Sequence, residues 1–398
     1  MFCNFALPYR AAINSLLLTV LALGTVSRCG IHSVKEGQSE IERRFQKTVK
    51  NSKHSKTAAL LVHSDRLNLH ITSAAGSAGG LPAVADQPFH AASIGKLFTA
   101  VLILQYLEQG KLTLNEPVYK RLGIEKLKQL FVFEGNDYAE QVTVAHLLAH
   151  TSGIDDYFDS KNPKSKSVLA EITNNPNQFW KPADLVEFTR KNQKALGKPG
   201  DTFHYSDTGY ILLGLLLEKI SGKSFENLLH EKIFDPLDMK NSYMHLRSNP
   251  KNKHNLPLST MMLGDKDVTT FRSVSADWAG GGIITTTEDL LLFHRALVSG
   301  RLLVPAKYES MKGEAKFIDG IHYGFGMMTV RFGEMSVIMP GTPDLHGHSG
   351  LLSTLMFYCP DYDTHIIANL GSTEDIGDTF EMMFWLLRTI KEIHELKK

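Results

Sequence analysis

Ser93 and Lys96, which lie three residues apart, are the pair in this sequence best placed to do chemistry together. They precede a run of almost uninterrupted apolar residues, 97–107, which ends before Gly110, a residue typical of the end of a helix. A helix that is apolar on all sides belongs inside a protein, and residues three apart on a helix share a face. Because burial disfavours the charged form of a lysine, the pair predicts a serine activated as a nucleophile.

The Ser-x-x-Lys spacing is a weak signal by itself, because Ser248 and Lys251 repeat it in a polar stretch that contains proline. Two further stretches supply partners for Ser93. Residues 205–207 read Tyr-Ser-Asp before an apolar helix, and residues 348–350 read His-Ser-Gly at the start of a strand. A hydroxyl, an amine, a phenol and an imidazole are groups that nucleophilic and general acid–base catalysis use.

These three stretches resemble the active-site motifs of the penicillin-recognising serine hydrolases, which include class C β-lactamases, D-alanyl-D-alanine carboxypeptidases and related esterases. The resemblance covers nearly the whole chain after its N-terminal segment. Stretches in the family's order lie at residues 89–100, 146–153, 205–207, 279–289 and 347–350. The resemblance implies an α+β fold of the β-lactamase/transpeptidase type, an acyl-serine intermediate and no cofactor.

The resemblance also assigns roles to individual residues. Ser93 would be the acylated nucleophile, Lys96 its proton acceptor or relay, and Tyr205 the second general base, which serves the leaving group and the deacylating water. The backbone N–H groups of Ser93 and Leu351 would form the oxyanion hole. The residues that bind or line the substrate would be Asp207, His348, Ser349, Gly350 and Leu351. Gly350 would leave room for close backbone approach of the substrate, and the run at residues 280–282 is predicted to be a glycine turn packed near the cleft.

Two residues differ from the motifs that are common in the family. Asp207 stands where Asn is common; an ionised aspartate only accepts hydrogen bonds, and beside Lys96 it favours the charged ammonium. His348 stands where most β-lactamases have Lys, and because histidine is mostly neutral at about pH 7, it holds a substrate carboxylate less firmly. Both differences favour a carboxypeptidase- or esterase-like enzyme with weak or absent β-lactam turnover.

Strand patterns lie at both ends of the chain, and helix patterns lie between them. This order predicts one antiparallel sheet built from both chain ends and flanked by helices, with an inserted helical lobe and a cleft where the lobe meets the sheet. The predicted strands lie within residues 57–75, 325–332, 335–339, 352–358 and 365–370, and a final amphipathic helix covers residues 375–397. Residues 325–332 are predicted to pair with 335–339 across a short turn, and residues 352–358 with 365–370 across the turn at 360–363.

The N-terminus predicts a targeting segment, because Arg10 precedes a largely apolar stretch at residues 11–26 and small residues follow. Residues 1–27 are therefore predicted to be a cleaved signal peptide, with an uncleaved anchor or lipidation of Cys29 as alternatives. Residues 28–56 are predicted to be a linker or a frayed leader helix, and residues 57–398 the hydrolase domain. The protein is expected to be exported, either periplasmic or secreted, with membrane contact only through its signal or a lipid.

Composition narrows the classes of partner and cofactor. The 398 residues are 43% hydrophobic and 21% charged, with a net charge of +1, so nothing favours nucleic acid as a partner. Three cysteines are too few for a disulfide framework. His146 and His150 could share a metal, but no Glu follows His146 as zinc proteases require, and structural roles are favoured for both.

The sequence therefore predicts an exported serine hydrolase without metal or organic cofactor, acting on a small or peptidoglycan-derived amide or ester. A penicillin-binding-type sensor or scaffold module, acylated without turnover, is the alternative. Ser93, Lys96 and Tyr205 favour the enzyme, whereas Asp207 keeps the alternative open. The oligomeric state stays open.

Overall fold

The computed structural model describes residues 30–398 except residues 161, 163, 253, 254, 336–338 and 340. The predicted signal peptide and Cys29 lie outside the described residues. The strands, in chain order, are β1 Thr57–Ser64, β2 Leu69–Ala78, β3 Leu81–Pro82, β4 Phe89–His90, β5 Val132–Phe133, β6 Asn136–Asp137, β7 Tyr243–Met244, β8 Met262–Leu263, β9 Lys266–Asp267, β10 Ile283–Thr285, β11 Ala315–Ile318, β12 Ile321–Tyr323, β13 Met328–Val330, β14 Leu345–Gly350, β15 Thr354–Cys359 and β16 Thr364–Asn369.

Most of the α-helices lie between strands β3 and β11 along the chain. They are α1 Val34–Asn51, α2 Gly95–Glu108, α3 Tyr119–Leu122, α4 Ile124–Leu127, α5 Val144–Leu148, α6 Val168–Asn174, α7 Pro182–Asn192, α8 Asp207–Ser221, α9 Phe225–Leu229, α10 Trp278–Gly281, α11 Thr287–Val298, α12 Pro305–Met311, α13 Phe332–Met335 and α14 Ile376–Glu395. No helix within the described ranges is long and apolar enough to cross a membrane.

One antiparallel sheet of nine strands unites the two ends of the chain. Its strand order is β11-β12-β13-β14-β15-β16-β1-β2-β3, so the C-terminal strand β16 pairs with the N-terminal strand β1, with Leu61 opposite Ile367. The segment between β3 and β11 carries most of the helices and three small sheets. The predicted α+β architecture, a sheet from both chain ends with an inserted helical lobe, is confirmed.

The leader that precedes β1 differs from its prediction. Residues 34–51 are neither a linker nor a frayed helix but a full helix, α1, in which Ser33 caps the first turn by accepting a hydrogen bond from the N–H of Glu36. Ile41, Phe45 and Val49 are buried at intervals of four, which is the spacing of one helix face. The many polar residues of this segment hide that spacing, because they cover its exposed faces.

The predicted pairing of residues 325–332 with residues 335–339 is wrong. The strand β13 covers only Met328–Val330, and a short helix, α13, occupies residues that were expected to turn and begin the next strand. The partner of β13 on this side is instead β14, with Met328 opposite Gly347. Residues 336–338 lie outside the described part of the chain. By contrast, β15 and β16 pair as predicted, with Cys359 opposite Thr364.

Helix α2 forms the centre of the core, as its apolar sequence predicts. Eleven of its residues are buried, from Gly95 to Tyr106, and Phe98 stacks on Phe293 of α11 with ring centroids 3.8 Å apart. The helix packs against α8 and α10 of the lobe. A helix packed on several sides is rigid, so the residues of its first turn are held firmly.

Candidate active site

Ser93 and Lys96 lie side by side, as their spacing predicts. Ser93 belongs to the short 3₁₀ turn Ala92–Ile94 that leads into α2, and Lys96 is in the first turn of the helix. Lys96 Nζ lies 3.1 Å from Ser93 Oγ. Ala92 has a φ of 49°, a left-handed conformation that is strained for a residue other than glycine and is frequent at functional sites. The serine is 7% exposed, which leaves its hydroxyl accessible from one side.

Lys96 is fully buried, and its amine contacts three acceptors. Besides Ser93 Oγ, Nζ contacts Asp207 Oδ1 and lies 2.8 Å from the carbonyl oxygen of Gly280. An ammonium has three hydrogens to donate, so these acceptors satisfy all of them. Lys96 must therefore release a proton before it can take one from Ser93.

Gly280 is required for this arrangement. A Cβ at this position would lie 2.5 Å from Asp207 Oδ1 and 3.7 Å from Lys96 Nζ. The next residue is equally constrained, because a Cβ on Gly281 would lie 2.7 Å from the backbone of Ala92. The predicted glycine turn near the cleft therefore packs directly against the turn that holds the serine.

Tyr205 lies beneath the serine–lysine pair. Its ring centroid is 5.0 Å from Lys96 Nζ and 4.2 Å from the ring of His150. His150 Nδ1 accepts a hydrogen bond from the N–H of Ser206 at 3.0 Å, so this histidine positions the loop that carries Tyr205. This contact is consistent with the structural role predicted for His150. His146 also has a structural role, because it forms a reciprocal cap with Thr143 at the start of α5.

Asp207 begins α8, and a second carboxyl group supports it. Its N–H donates to Asp156 Oδ1 at 3.1 Å. Burial raises the pKa of Asp156 well above its usual range, and the charge of Asp207 raises it further. Asp156 therefore supports the backbone at Asp207 from a site where burial disfavours its charged form.

His348 is placed differently from its predicted role in holding a substrate carboxylate. It is fully buried, with Nδ1 2.6 Å from the carbonyl oxygen of Ser349 and Nε2 3.0 Å from the hydroxyl of Tyr323. Burial lowers its pKa to about 3, and the charge of Lys96 contributes. His348 is therefore neutral, and because protein partners occupy both nitrogens, it supports β14 rather than facing the cleft.

The rest of the third motif brings β14 against the nucleophile. A Cβ on Gly350 would lie 2.7 Å from the Cβ of Ala92 and 2.4 Å from Thr354 Oγ1. The close backbone approach that was predicted for substrate is thus made to the turn before Ser93. The hydroxyl of Ser349 is buried 3.5 Å from Met328 Sδ. Leu351, directly after β14, lines the cleft together with Ser93.

The cleft beside Ser93 has an empty volume of about 550 Å³, part of it open to solvent. Of the predicted site residues, Ser93, Asp207 and Leu351 line it, whereas Lys96, Tyr205 and His348 are buried next to the lining residues rather than among them. Most of the wall is apolar, including Phe158, Leu169, Ile172, Met261, Val274 and Leu352. Within the described residues, no lysine or arginine lines this cleft.

Two polar residues of the cleft were missed by the sequence reasoning, namely His90 and Asp277. His90 stands three residues before Ser93, a position that could have marked it. Asp277 is 184 positions from Ser93 along the chain and carries no comparable signal. Across the described ranges, no group of three or more histidine, cysteine, aspartate or glutamate residues is arranged to hold a metal ion.

Comparison with known sequences extends the resemblance. The sequence model of the Beta-lactamase family matches residues 41–377. Protein flp of Staphylococcus aureus (strain MW2) is 29% identical over 230 residues, which are 56% of this chain and 40% of that protein. Penicillin-binding protein 4* of Bacillus subtilis (strain 168) is 27% identical over 311 residues, 74% of this chain and 63% of that protein. The chain thus spans less than two thirds of these relatives.

Solved structures share the fold at low sequence identity. A D-stereospecific amidohydrolase from Streptomyces sp. has a TM-score of 0.71 and 24% identity, covering 87% of this chain and 97% of that one. The D-amino acid amidase from Ochrobactrum anthropi SV3, complexed with D-phenylalanine, has a TM-score of 0.73 and 21% identity over 89% and 99%. A penicillin-binding protein from Bacillus halodurans has a TM-score of 0.65 and 22% identity over 88% and 98%.

Proposed function

Since the chain belongs to the Beta-lactamase family, we propose that it is a serine hydrolase that cleaves a small amide or ester through an acyl-serine intermediate. One observation carries this proposal. The buried amine of Lys96 lies 3.1 Å from Ser93 Oγ and is held there by Asp207 and by the carbonyl of Gly280. A nucleophile with a proton acceptor in hydrogen-bond reach, itself oriented by a third group, is the arrangement that nucleophilic catalysis needs.

The contacts of Lys96 define a route for protons during acylation. Lys96 passes one proton to Asp207 and becomes a neutral amine. Ser93 Oγ then bonds to the substrate carbonyl carbon while its proton moves to Lys96 Nζ. The leaving group takes a proton as it departs, through Tyr205 in the role that the family resemblance implies. The N–H groups of Ser93 and Leu351, both beside the cleft, would stabilise the oxyanion.

The cleft favours an esterase or amidase over a carboxypeptidase. A carboxypeptidase must hold the terminal carboxylate of a peptide, yet among the described residues no cationic side chain lines this cleft and His348 is neutral. Asp207 stands in the place where Asn is common, and while it is ionised it accepts hydrogen bonds but donates none to an amide carbonyl. The similar D-amino acid amidase and D-stereospecific amidohydrolase folds are consistent with hydrolysis of small amides.

The proposal is tested with a panel of acyl donors. Hydrolysis of a short-chain p-nitrophenyl ester, an amino acid p-nitroanilide, a chromogenic cephalosporin and a D-Ala-D-Ala peptide is measured for the wild type and for Ser93→Ala. We expect turnover of the ester or the anilide, little turnover of the other two, and loss of turnover in the variant. Ester hydrolysis that is unchanged in Ser93→Ala would overturn the proposal.

All three N–H groups of the Lys96 ammonium have acceptors. This favours one alternative function, a sensor or scaffold module that is acylated without turnover. If Lys96 stays protonated, Ser93 can be trapped by a reactive β-lactam while deacylation is slow. Intact-mass measurement separates the two functions. A stable acyl adduct on Ser93, with a burst but no steady-state release of p-nitrophenol, would identify the module rather than the enzyme.

We further propose that the protein is exported to the periplasm or secreted, on the strength of the N-terminal sequence. Expression of the full chain in a secreting bacterial host tests this. Mass spectrometry of the protein outside the cytoplasm should show loss of a segment near residues 1–27. Retention of the full-length chain in the cytoplasm would contradict export.

A further inference from the structure

The wall of the cleft contains a second polar group that the proposed mechanism does not use. Asp277 precedes α10, and His90 ends β4, so two distant parts of the chain bring them together beside Ser93. His90 Nε2 lies 3.7 Å from Asp277 Oδ2. The surrounding wall is largely apolar, so this acid–imidazole pair is its main polar feature apart from Asp207 and the serine.

His90 is held in one protonation state and one orientation. It is 2% exposed, and Nδ1 accepts a hydrogen bond from the N–H of Ala92 at 3.1 Å. Burial lowers the pKa of His90 to about 3, and nearby His245 adds to this, so the ring is neutral and its proton is on Nε2. That N–H has no hydrogen-bond partner among the described residues, and it faces the carboxylate of Asp277.

Asp277 has no cationic partner, in contrast to Asp207. Within the described ranges Asp277 forms no ion pair with lysine or arginine, and its side chain is 22% exposed, so a ligand can reach it from the cleft. Burial, followed by the charge of Asp207, raises the pKa of Asp277 to about 7, while Lys96 partly offsets the increase. A cation placed against Asp277 would offset both effects, because it favours the charged carboxylate.

We propose that Asp277, which lies 3.7 Å from His90 Nε2 in the cleft wall, binds a protonated amino group of the substrate. Resting on the proposed function, this inference makes the natural substrate an amide or ester that carries a primary amine near the scissile carbonyl and an apolar group against the wall. The ammonium donates charge-assisted hydrogen bonds to this carboxylate. A substrate that carries a carboxylate at the same place is repelled by Asp277 and Asp207 together.

The first test measures competition and does not depend on which amine substrate is natural. Hydrolysis of p-nitrophenyl butyrate, a neutral ester, is inhibited with benzylammonium or with benzyl alcohol, which has the same shape without the charge. We expect benzylammonium to inhibit the wild type more strongly by about tenfold or more, the worth of a hydrogen bond to a charged group. In Asp277→Asn this preference should fall to about twofold or less, with inhibition measured for each variant relative to its own uninhibited rate.

Matched variants separate charge from fold. Glu140→Gln removes an exposed carboxylate outside the cleft and should keep the full preference for benzylammonium. Asp277→Glu keeps the charge and should retain part of the preference. Equal inhibition of the wild type by the amine and the alcohol, or an unchanged preference in Asp277→Asn, would overturn the inference.

The pH dependence provides a second readout that a structural role would not change. As the pH falls below about 7, protonation of Asp277 should weaken benzylammonium inhibition of the wild type but not benzyl alcohol inhibition. The other groups around Asp277 are Asp207, Lys96, His90 and Tyr157, of which His90 has a pKa of about 3. In Asp277→Asn the amine-to-alcohol ratio should be flat between about pH 6 and about pH 8.

Failure of the proposed function can be told from failure of this inference. Isothermal titration of Ser93→Ala with benzylammonium and with benzyl alcohol measures binding without catalysis. Binding of the amine that is lost in Ser93→Ala/Asp277→Asn supports the subsite even if the wild type hydrolyses no ester. Ester turnover by the wild type without selective amine binding supports the hydrolase and overturns the subsite.

Discussion

Two regions of the molecule contain several histidines, and they hold them in different ways. Around the active site, His90 and His150 each accept a backbone N–H, and His348 donates to a backbone carbonyl. Between the sheet and α11, the histidines contact one another instead. His294 and His365 place their Nδ1 atoms 3.3 Å apart, and His63 and His70 place theirs 3.2 Å apart. We call these four residues the histidine cluster.

The ion pairs of the two regions differ in how far they are exposed to solvent. Lys96 and Asp207 are 0% and 6% exposed in the active-site region, whereas Arg295 and Asp65, beside the histidine cluster, are 47% and 65% exposed. The active site therefore holds its polar groups with backbone partners and a buried ion pair, which gives each side chain one orientation. The histidine cluster is held by contacts among its own side chains and with the exposed carboxylates of Asp65 and Glu288, so its contribution depends on pH rather than on catalytic geometry.

The largest expected effect follows from removing the cation of the buried pair. Lys96→Met should lower kcat/KM for the ester by about 10²–10⁴-fold, the worth of a positioned proton acceptor. The free energy of unfolding should fall by about 3–5 kcal/mol, because Asp207 is left buried without its partner. Ester hydrolysis and urea denaturation measure the two effects.

A double variant separates stability from catalysis in the same region. Lys96→Met/Asp207→Asn removes both charges and should recover much of the lost stability, but none of the activity. A single variant Lys96→Met that is as stable as the wild type would contradict the role assigned to the buried pair.

The next largest effect is expected where β14 packs closely against the turn Ala92–Ile94, which contains Ser93. Gly350→Ala places a Cβ 2.7 Å from that of Ala92 and should cost about 1–3 kcal/mol of stability by overpacking. It should also lower kcat, because Ser93 is displaced with its turn. Gly333→Ala is the matched control, since among the described residues its Cβ would meet nothing closer than 3.9 Å; equal behaviour of the two variants would refute the close approach.

The histidine cluster should govern stability in acid. Burial lowers the pKa of His365 from 6.5 to about 3 and that of His294 well below 6.5. The unfolded chain binds more protons below pH 6.5, so stability is full above that pH and falls as the pH drops towards the folded-state pKa. Each such histidine contributes a loss of about 1.4 kcal/mol per pH unit.

His365→Gln removes one of these groups, and urea denaturation between about pH 6.5 and about pH 4.5 measures the change. The stability of the variant should fall less steeply with decreasing pH than that of the wild type. Its ester hydrolysis at neutral pH should stay close to the wild-type value. An equally steep fall in both proteins would mean that other groups control acid stability.

The smallest effect is expected at the exposed ion pair. Arg295→Met is the same kind of substitution as Lys96→Met but should change the free energy of unfolding by only about 0.2–1 kcal/mol, and added salt should reduce the difference. A loss as large as that of Lys96→Met would remove the contrast between the two regions.

Local patterns in the sequence determined much of the fold and the centre of the site. The uniform apolar run after Lys96 requires a buried helix, and the three-residue spacing brings Ser93 and Lys96 together on it without help from other elements. The strand patterns at both ends could only be satisfied by pairing with one another, which β1 and β16 do. The amphipathic face of α1 was also present, in Ile41, Phe45 and Val49, although polar residues obscured it.

Only the tertiary structure decided the chemistry around that centre. Asp207 and Gly280 contact Lys96 although they lie 111 and 184 residues from it along the chain. A local sequence pattern cannot predict contacts between residues so far apart. Burial, which the sequence does not show residue by residue, makes His348 neutral and leaves both its nitrogens on protein partners. Burial also raises the pKa of Asp277, and the fold places His90 Nε2 3.7 Å from its carboxylate. Charge, burial and hydrogen bonding act through space rather than along the chain, so the sequence does not show them.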